Sequence, residues 1–494
     1  MSKTKPIFYS ALLLTTVNLL LRLVGTSFQV YLSSRIGAEG IGLLQLVLSV
    51  GSMTMVAGMA GIRTATMYLT AEEMGKGRPG NVTWVLSGCI LYSSTISSVI
   101  GFGVYILAPY LAEHWIGNVK TVDSLRLFAA FLPINCLTGV MVGYFTGSNR
   151  IRTLALVEIA EQICTMGSTI LLLSAWAGHD PERSCQAVVL GSAIGSCMTL
   201  VTLIILRVLQ RPSLSSRIPI GRRLAHTAIP LALADDLRTG ITTVENLMVP
   251  RRLSLYESVN SPLATFGMVC GMVFPILTFP MAFLFGLTEL LVPELARCRA
   301  AGSHIRVNYL VQKSLRLALF YGCICSGILF LNAEDLCLSL YKNIQAGTYL
   351  RWFSMLAVML YCDAVTDAMI KGLGQQKRSV YYNIITNTLD VLLLYVLLPR
   401  YGITGYFFSF TVTHVINFIL SLRRLLIITG QKIPFCIPAF TLSAAFLSTW
   451  ASNFVSAPIL RTGSFLLLFT CLLFLLGILN REDIRWVKSL VYKK

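Results

Sequence analysis

One helix-length apolar segment of this chain carries several ionisable side chains. Residues 224–250 include Asp235, Asp236, Arg238 and Glu245 among mostly apolar neighbours. At 100° per residue, Asp235, Arg238 and Glu245 fall within an arc of about 80° on one helix face. Carboxylates and a guanidinium on one face can pair with each other, bind hydroxyl-rich groups, or hold a cation or a proton. We therefore expect this face to border water, a ligand or a polar partner.

Polar side chains also occur in the first, second and eighth apolar segments. Asn18 and Arg22 are four residues apart and therefore share one helix face. Arg63 lies in the second segment and Glu289 in the eighth. A guanidinium suits bidentate capture of phosphate oxygens, even where water is scarce. The predicted substrate-binding residues, lining a space between two lobes, are Asn18, Arg22, Arg63, Asp235, Arg238, Glu245 and Glu289.

Each of these residues also has a structural interpretation. Arg22 can reach the membrane interface with its long side chain or form a fixed ion pair, and Arg63 can anchor a helix at the interface. Asp235 and Arg238 have the i, i+3 spacing of an intrahelical pair. Glu289, near the end of its segment, can be solvated. The sequence leaves both readings open.

A second polar cluster is predicted on the tenth and eleventh segments. Asp363 and Asp367 are one helical turn apart, and Asn387 and Asp390 follow on the next segment. These side chains either pack within one lobe or bind a coupling ion. The fifth segment carries a comparable pair, Glu158 and Glu161.

The composition assigns the chain to the membrane proteins. Of its 494 residues, 55% are hydrophobic and only 13% are charged, which excludes a water-soluble globule. Windows of about 20 apolar residues predict an all-α protein with about fourteen transmembrane helices. Their predicted spans are 8–32, 41–69, 83–110, 124–147, 153–177, 185–209, 224–249, 262–295, 309–332, 347–371, 379–398, 403–424, 434–455 and 461–480. The net charge of +18 is spread over short loops, which indicates contact with anionic lipid headgroups and not with nucleic acid.

A weak internal repeat suggests how these helices are grouped. A shift of 225 residues (267 − 42) superposes Gly42 on Gly267 and Gly61 on Gly286. The same shift pairs residues of the fourth and tenth helices, which predicts two six-helix lobes related by a parallel pseudo-two-fold repeat. The predicted boundaries are an N-lobe at 1–210, a basic cytoplasmic linker at 211–223, a C-lobe at 224–428, and helices 13 and 14 with a basic tail at 429–494.

Alternate loops differ in their basic content. One set is rich in Lys and Arg, whereas the loops between them carry few. The positive-inside rule places the rich set, and with it both termini, in the cytoplasm. Prolines 275 and 280 are expected to kink the eighth helix.

Catalytic chemistry is poorly represented in the sequence. It contains no Walker A loop, no HExxH or DxD motif, no GxSxG and no paired CxxC, and its five histidines lack ligand spacing. We therefore predict that the protein is not an enzyme and has no cofactor or metal. Coupling to the membrane potential or to a monovalent cation is left open.

Several short motifs resemble one known family. Residues 21–25 (LRLVG) and 36–43 (IGAEGIGL) resemble the first helix and loop of stage V sporulation protein B-like flippases. Residues 143–147 (GYFTG) with Glu161 and Gln162 are similar to the helix 4–5 signature of that family, and 291–295 (LVPEL) to its helix 8 ending. These flippases, relatives of lipid II flippases, are members of the multidrug/oligosaccharidyl-lipid/polysaccharide (MOP) exporter superfamily.

The resemblance implies a function. It implies a two-lobe fold that translocates an undecaprenyl-pyrophosphate-linked oligosaccharide, such as a lipid II-like peptidoglycan precursor, across a bacterial plasma membrane. Arg22 falls on the arginine of the first-helix motif, which lines the cavity in related lipid II flippases. A role in spore cortex or cell-wall synthesis is implied, with membrane lipids and wall-synthesis enzymes as partners. Two alternatives stand beside it: an ion-coupled exporter of cationic drugs, and a non-transporting scaffold for wall-synthesis enzymes.

Overall fold

The protein is built from helices. The computed structural model describes residues 4–76, 78, 80–178, 180–209, 221–257, 261–431 and 436–478. Every regular element in these ranges is helical, which confirms the predicted all-α membrane class. The α-helices are α1 (Thr4–Met59), α2 (Ile62–Gly75), α3 (Asn81–Tyr110), α4 (Val122–Gly147), α5 (Ile151–Leu172), α6 (Pro181–Val208), α7 (Gly221–Leu253), α8 (Pro262–Met268), α9 (Phe274–Thr278), α10 (Met281–Ala300), α11 (His304–Tyr341), α12 (Ile344–Ser354), α13 (Ala357–Gly372), α14 (Gln376–Thr429), α15 (Cys436–Ser452) and α16 (Pro458–Leu475).

The number of membrane-spanning helices depends on how bent helices are counted. Within the described residues, eight helices are long and apolar enough to span a membrane, or ten if each of two bent pairs counts as one span. Two long helices contain a glycine with positive φ where the sequence predicts a loop: Gly37 in α1 (φ 79°) and Gly402 in α14 (φ 57°). Glycine adopts this backbone without a steric penalty. The count of fourteen stays a prediction.

The predicted kink in the eighth helix is confirmed. The segments Pro262–Thr278 and Met281–Arg299 meet at an angle of 56°, and Pro275 and Pro280 flank the bend. A π-helical turn at Val269–Val273 precedes it. The tenth predicted helix is bent as well, by 54° between Ile344–Ser354 and Ala357–Gly372.

The second predicted helix is interrupted next to a candidate binding residue. Ala60 (φ 44°) and Gly61 (φ 70°) both adopt left-handed backbone conformations, and α2 begins at Ile62. A positive φ is uncommon for a residue other than glycine. The interruption places Arg63 in the first turn of a new helix instead of far along a continuous one.

The first compact unit comprises Met1–Gly271 and Asp390–Gly405. Within it, α3 packs along α4, α5 along α6, and α1 against α7 and α8. The core contains Ile62, Leu69 and Phe145, and Leu224 and Ala228 of α7 belong to the same core. The start of α7 is therefore packed onto the helices of the predicted N-lobe.

The second compact unit comprises Met272–Leu389 and Tyr406–Lys494. Its centre is α11, which contacts α12, α13, α15 and α16. Phe465 and Phe469 of α16 are fully buried, and a Cβ built on Gly327 would collide with the Phe465 ring. The last helix pair is thus packed closely onto α11. The lobe boundaries derived from the repeat stay a prediction.

Candidate functional site

Arg22 lies on α1, inside the candidate span Leu20–Gly75. Its side chain is exposed. About one turn further on, α1 contacts α5, where a Cβ built on Gly25 would lie 3.8 Å from Nε2 of Gln162. Arg22 therefore lies on a helix that passes the glutamine of the helix 5 motif. The side chains of Asn18 and Glu289 lie outside the described part of the chain.

Arg63 is positioned by close packing between α2 and α4. A Cβ built on Gly143 would collide with the main-chain carbonyl of Arg63, and one on Gly147 would lie 2.5 Å from the carbonyl of Met67. Glycines four residues apart allow two helix backbones to approach in this way. The contact gives the GYFTG motif a physical role, because its two glycines fix the position of Arg63 along the axis of α4.

Two carboxylates on α5 lie within electrostatic range of Arg63. Its positive charge attracts Glu158 and Glu161, and the side chains of Ser196 and Thr199 of α6 lie close to Glu161. The sequence analysis predicted Glu158 and Glu161 as a pair of their own, outside the substrate-binding set that includes Arg63. Their i, i+3 spacing on an apolar helix was the signal, but the partner on α2 depends on tertiary packing.

The ionisable residues of α7 have different surroundings. The side chains of Glu245 and Asp390 are hydrogen-bonded to each other, and Asp390 is buried. One turn of α7 also contacts α1, since Asn246 Nδ2 donates to Ser49 Oγ at 3.0 Å. Asp235 and Arg238 are exposed. Glu245 and Asp390, predicted for two different clusters, thus belong to one site in the first unit.

Asp236 is a polar residue that the predicted substrate-binding set omits. Its Oδ1 atom is buried and has no hydrogen-bond partner among the described residues. The side chain lies near Tyr92 of α3. A buried carboxylate oxygen without a donor retains capacity for a ligand or a proton.

The other predicted cluster residues lie in the second unit. Asn417 Nδ2 donates to Asp363 Oδ2 at 2.9 Å. Asp367 accepts from Ser379 and pairs with Lys371. Asn387 is partly buried. The two aspartates therefore have partners inside the second unit, but Asp363 Oδ1 is buried without a hydrogen-bond partner among the described residues. Packing and binding of a coupling ion both stay open for this cluster.

The chemistry of these groups is that of binding. Guanidinium groups supply bidentate donors for phosphate oxygens, and paired carboxylates supply a place for a proton or a cation. Among the described residues, no group of three or more His, Cys, Asp and Glu side chains is placed to hold a metal ion. Groups of these types can recognise an anionic or cationic solute and compensate its charge.

Comparisons with known proteins show which families and folds the chain is similar to. The chain matches the family model described as polysaccharide biosynthesis protein over residues 8–233, and the model described as MatE over 259–396. It also has the fold of solved transporters. An inward-facing multidrug resistance MATE family transporter of the MOP superfamily superposes with a TM-score of 0.67 and 12% identity, covering 85% of this chain and all of that one.

Particular relatives agree with this class. Stage V sporulation protein B of Bacillus subtilis (strain 168) is 21% identical over 407 residues, which are 80% of this chain and 78% of that protein. Sporulation protein YkvU of the same organism is 19% identical over 54% of this chain and 61% of its own length. The lipid II flippase MurJ, in an inward closed conformation, matches with a TM-score of 0.66 and 13% identity, covering 93% and 97% of the two chains.

The resemblance stated from the sequence motifs is therefore confirmed. The protein is a multi-pass membrane protein with the MOP superfamily fold, similar to stage V sporulation protein B. The solved structures that share this fold are named as a transporter and a lipid II flippase, which agrees with the prediction that this chain is not an enzyme.

Proposed function

We propose that this protein is a flippase for an undecaprenyl-pyrophosphate-linked oligosaccharide, with a lipid II-like precursor as the best candidate. The headgroup enters between the two lobes from the cytoplasm, while the polyprenyl tail stays in the lipid. The lobes then rock to release the headgroup outside. We further propose that the protein lies in the plasma membrane with both termini in the cytoplasm. There it would serve spore-cortex or cell-wall synthesis together with wall-synthesis enzymes.

The observation that carries the proposal is the arginine content of the first two predicted helices. Arg22 lies within an apolar span and Arg63 follows an interruption in it. A charge at mid-membrane costs about 2.5–3.5 kcal/mol on insertion scales, so such residues usually serve a bound ligand or a wet cavity. A pyrophosphate is an anion whose oxygens match guanidinium donors. The structural likeness to the lipid II flippase MurJ supports the same substrate class.

Reconstitution tests the proposal directly. The full-length protein is placed in liposomes that contain a fluorescent undecaprenyl-pyrophosphate disaccharide, and a membrane-impermeant quencher reports which leaflet holds it. We expect the quenchable fraction to rise from about half towards completion within minutes, as in any scrambling of two leaflets. Protein-free liposomes are the control. A quenchable fraction that stays at the control value would exclude this substrate.

The membrane potential is expected to drive the reaction. Moving one negative charge outward across a potential of 100 mV, negative inside, releases about 2.3 kcal/mol, and a pyrophosphate carries about two charges. We predict that a potassium diffusion potential, negative inside, accelerates outward movement several-fold in these liposomes, whereas the reverse potential slows it. Equal rates under both potentials would show that net charge does not move with the substrate.

A monovalent cation at Glu245 and Asp390 is the proposed second source of energy. Two hydrogen-bonded carboxyl groups share a proton or make room for a small cation. Glu245→Gln keeps a hydrogen-bonding side chain and removes one negative charge. We predict that this variant loses any dependence of transport on sodium or proton gradients but still responds to the potential. Unchanged cation dependence would place the coupling site elsewhere.

The second candidate function is export of cationic compounds. The match to the model described as MatE over residues 259–396 favours it, as do the acidic pairs Glu158–Glu161 on α5 and Glu245–Asp390 between α7 and α14. The two functions require opposite charges in the binding site. A cation exporter keeps or gains activity when an arginine is neutralised, whereas a flippase for pyrophosphate-linked substrates loses it.

A further inference from the structure

A compact ionic cluster joins the end of α2 to the start of α7. Arg223 donates from Nη2 to Glu72 Oε2 at 2.8 Å and from Nη1 to Glu73 Oε1 at 2.9 Å. Glu73 also accepts from Asn81 Nδ2 at 2.9 Å, and Glu72 pairs with Lys76. One guanidinium therefore bridges two consecutive carboxylates through its two terminal nitrogens.

The members of this cluster differ in burial. The side chain of Glu73 is only 3% exposed, whereas those of Arg223 and Glu72 are 38% and 30% exposed. The buried carboxylate depends on Arg223 and Asn81 for its hydrogen bonds. Arg223 and Glu72 are accessible to water. Water molecules can therefore replace their hydrogen bonds to each other at a moderate cost in free energy. The bridge thus combines one buried carboxylate with two partners that water can solvate when the helices separate.

The cluster has a special place in the chain. Arg223 ends the predicted linker at 211–223, which joins the two six-helix halves of the repeat. Glu72 and Glu73 lie in the last turns of α2, just after the second predicted helix and within the first half. The predicted topology places all three residues at the cytoplasmic side. Just beyond Arg223, Leu224 and Ala228 are buried in the same core as Ile62 and Leu69 of α2.

We propose that Glu72, Glu73 and Arg223 form an ionic latch that closes the cytoplasmic mouth between α2 and α7 during transport. The proposal rests on the proposed function, because alternating access requires that such a mouth opens and closes. When the latch opens, the start of α7 moves away from α2 and exposes Ala228. When it closes, Glu73 regains its buried partner and the helices pack again. The latch thereby adds a reversible polar contact to the otherwise apolar interface between α2 and α7.

Labelling of a buried position tests the latch without any lipid substrate. Ala228 is fully buried, and Ala228→Cys adds only one small atom. The full-length variant is reconstituted and treated with a membrane-impermeant maleimide, and mass spectrometry follows the peptide that carries position 228. We expect Arg223→Gln to increase the labelling rate at this cysteine about tenfold, as loss of a charge-assisted bridge would give. Because no precursor is present, the result is independent of whether the transported molecule has been assigned correctly.

Two further variants make the test decisive. Arg78→Gln removes the same charge from the loop after α2, where the side chain is exposed, and should leave the labelling rate unchanged. Glu72→Gln removes only the exposed half of the bridge and should increase labelling by about threefold. It keeps the experiment informative if Arg223→Gln does not fold. Labelling that stays at the level of Arg78→Gln in the folded latch variants would show that the cluster is a static clamp and overturn the proposal.

Discussion

Arg22→Gln is expected to lower the rate of precursor translocation by about 100-fold while the protein still folds. Removing one partner of a hydrogen-bonded charge pair costs about 2–5 kcal/mol, and 1.4 kcal/mol corresponds to a factor of ten. The side chain is exposed in the described structure, so its loss leaves no cavity in the core. The measurement is the initial rate in the liposome assay, at equal amounts of reconstituted protein.

Two matched variants separate this effect from loss of positive charge alone. Arg35→Gln changes an exposed arginine on the same helix, in the loop region predicted to face outside, and should retain nearly full activity. Arg22→Lys keeps the charge but loses the bidentate fork, so an intermediate rate is expected. If Arg22→Gln transports the pyrophosphate-linked substrate as fast as Arg35→Gln, Arg22 does not bind the headgroup.

Gly267→Ala is expected to destabilise the protein by about 3 kcal/mol or more. A Cβ at this position would lie 2.6 Å from the amide nitrogen of Gly42, 3.0 Å from its Cα, and against the carbonyl of Ala38. These are backbone atoms of α1, so no side-chain rotation can relieve the collision. Insertion of a methyl group into a tightly packed interior usually costs 1–3 kcal/mol, and backbone contacts put this site at the upper end.

A glycine elsewhere in the membrane region provides the control. Gly103 lies within α3, and a Cβ built there meets nothing within 4 Å. Gly103→Ala should be neutral or slightly stabilising, because alanine favours a helix more than glycine does. Thermal unfolding in detergent distinguishes the two variants. Equal melting temperatures for Gly267→Ala and Gly103→Ala would show that the contact between α1 and α8 is looser than described.

The Gly42–Gly267 contact also links the repeat to the structure. The shift of 225 residues that reveals the repeat pairs these same two glycines. Two positions related by a two-fold axis can touch each other only when both lie near that axis. The sequence therefore predicted that Gly42 and Gly267 are equivalent, but it did not predict that they meet. That contact depends on how α1 and α8 cross, which no local pattern encodes.

Other features also fall into two groups: those that the local sequence predicted and those that depend on tertiary packing. The kink in the eighth helix followed from Pro275 and Pro280, because proline removes a helical hydrogen bond wherever it occurs. The interruption before Arg63 was missed, because Ala60 is a strong helix former that tertiary packing holds at positive φ. The pairing of Glu245 with Asp390 was missed because it joins residues far apart in sequence. Composition and local chemistry thus predicted the class, and the polar contacts required the tertiary structure.

The most direct test of the central claim is to deplete the protein in the cells that produce it and to locate their undecaprenyl-linked intermediates. A membrane-impermeant reagent labels the headgroups that face outside, and lipid extraction then gives the labelled fraction. We predict that depletion leaves a pyrophosphate-linked precursor accumulated and shielded from the reagent, and that the wild-type protein restores labelling while Arg22→Gln does not. An unchanged labelled fraction, with no precursor retained inside, would contradict the assignment of this protein as a flippase for that class of lipid.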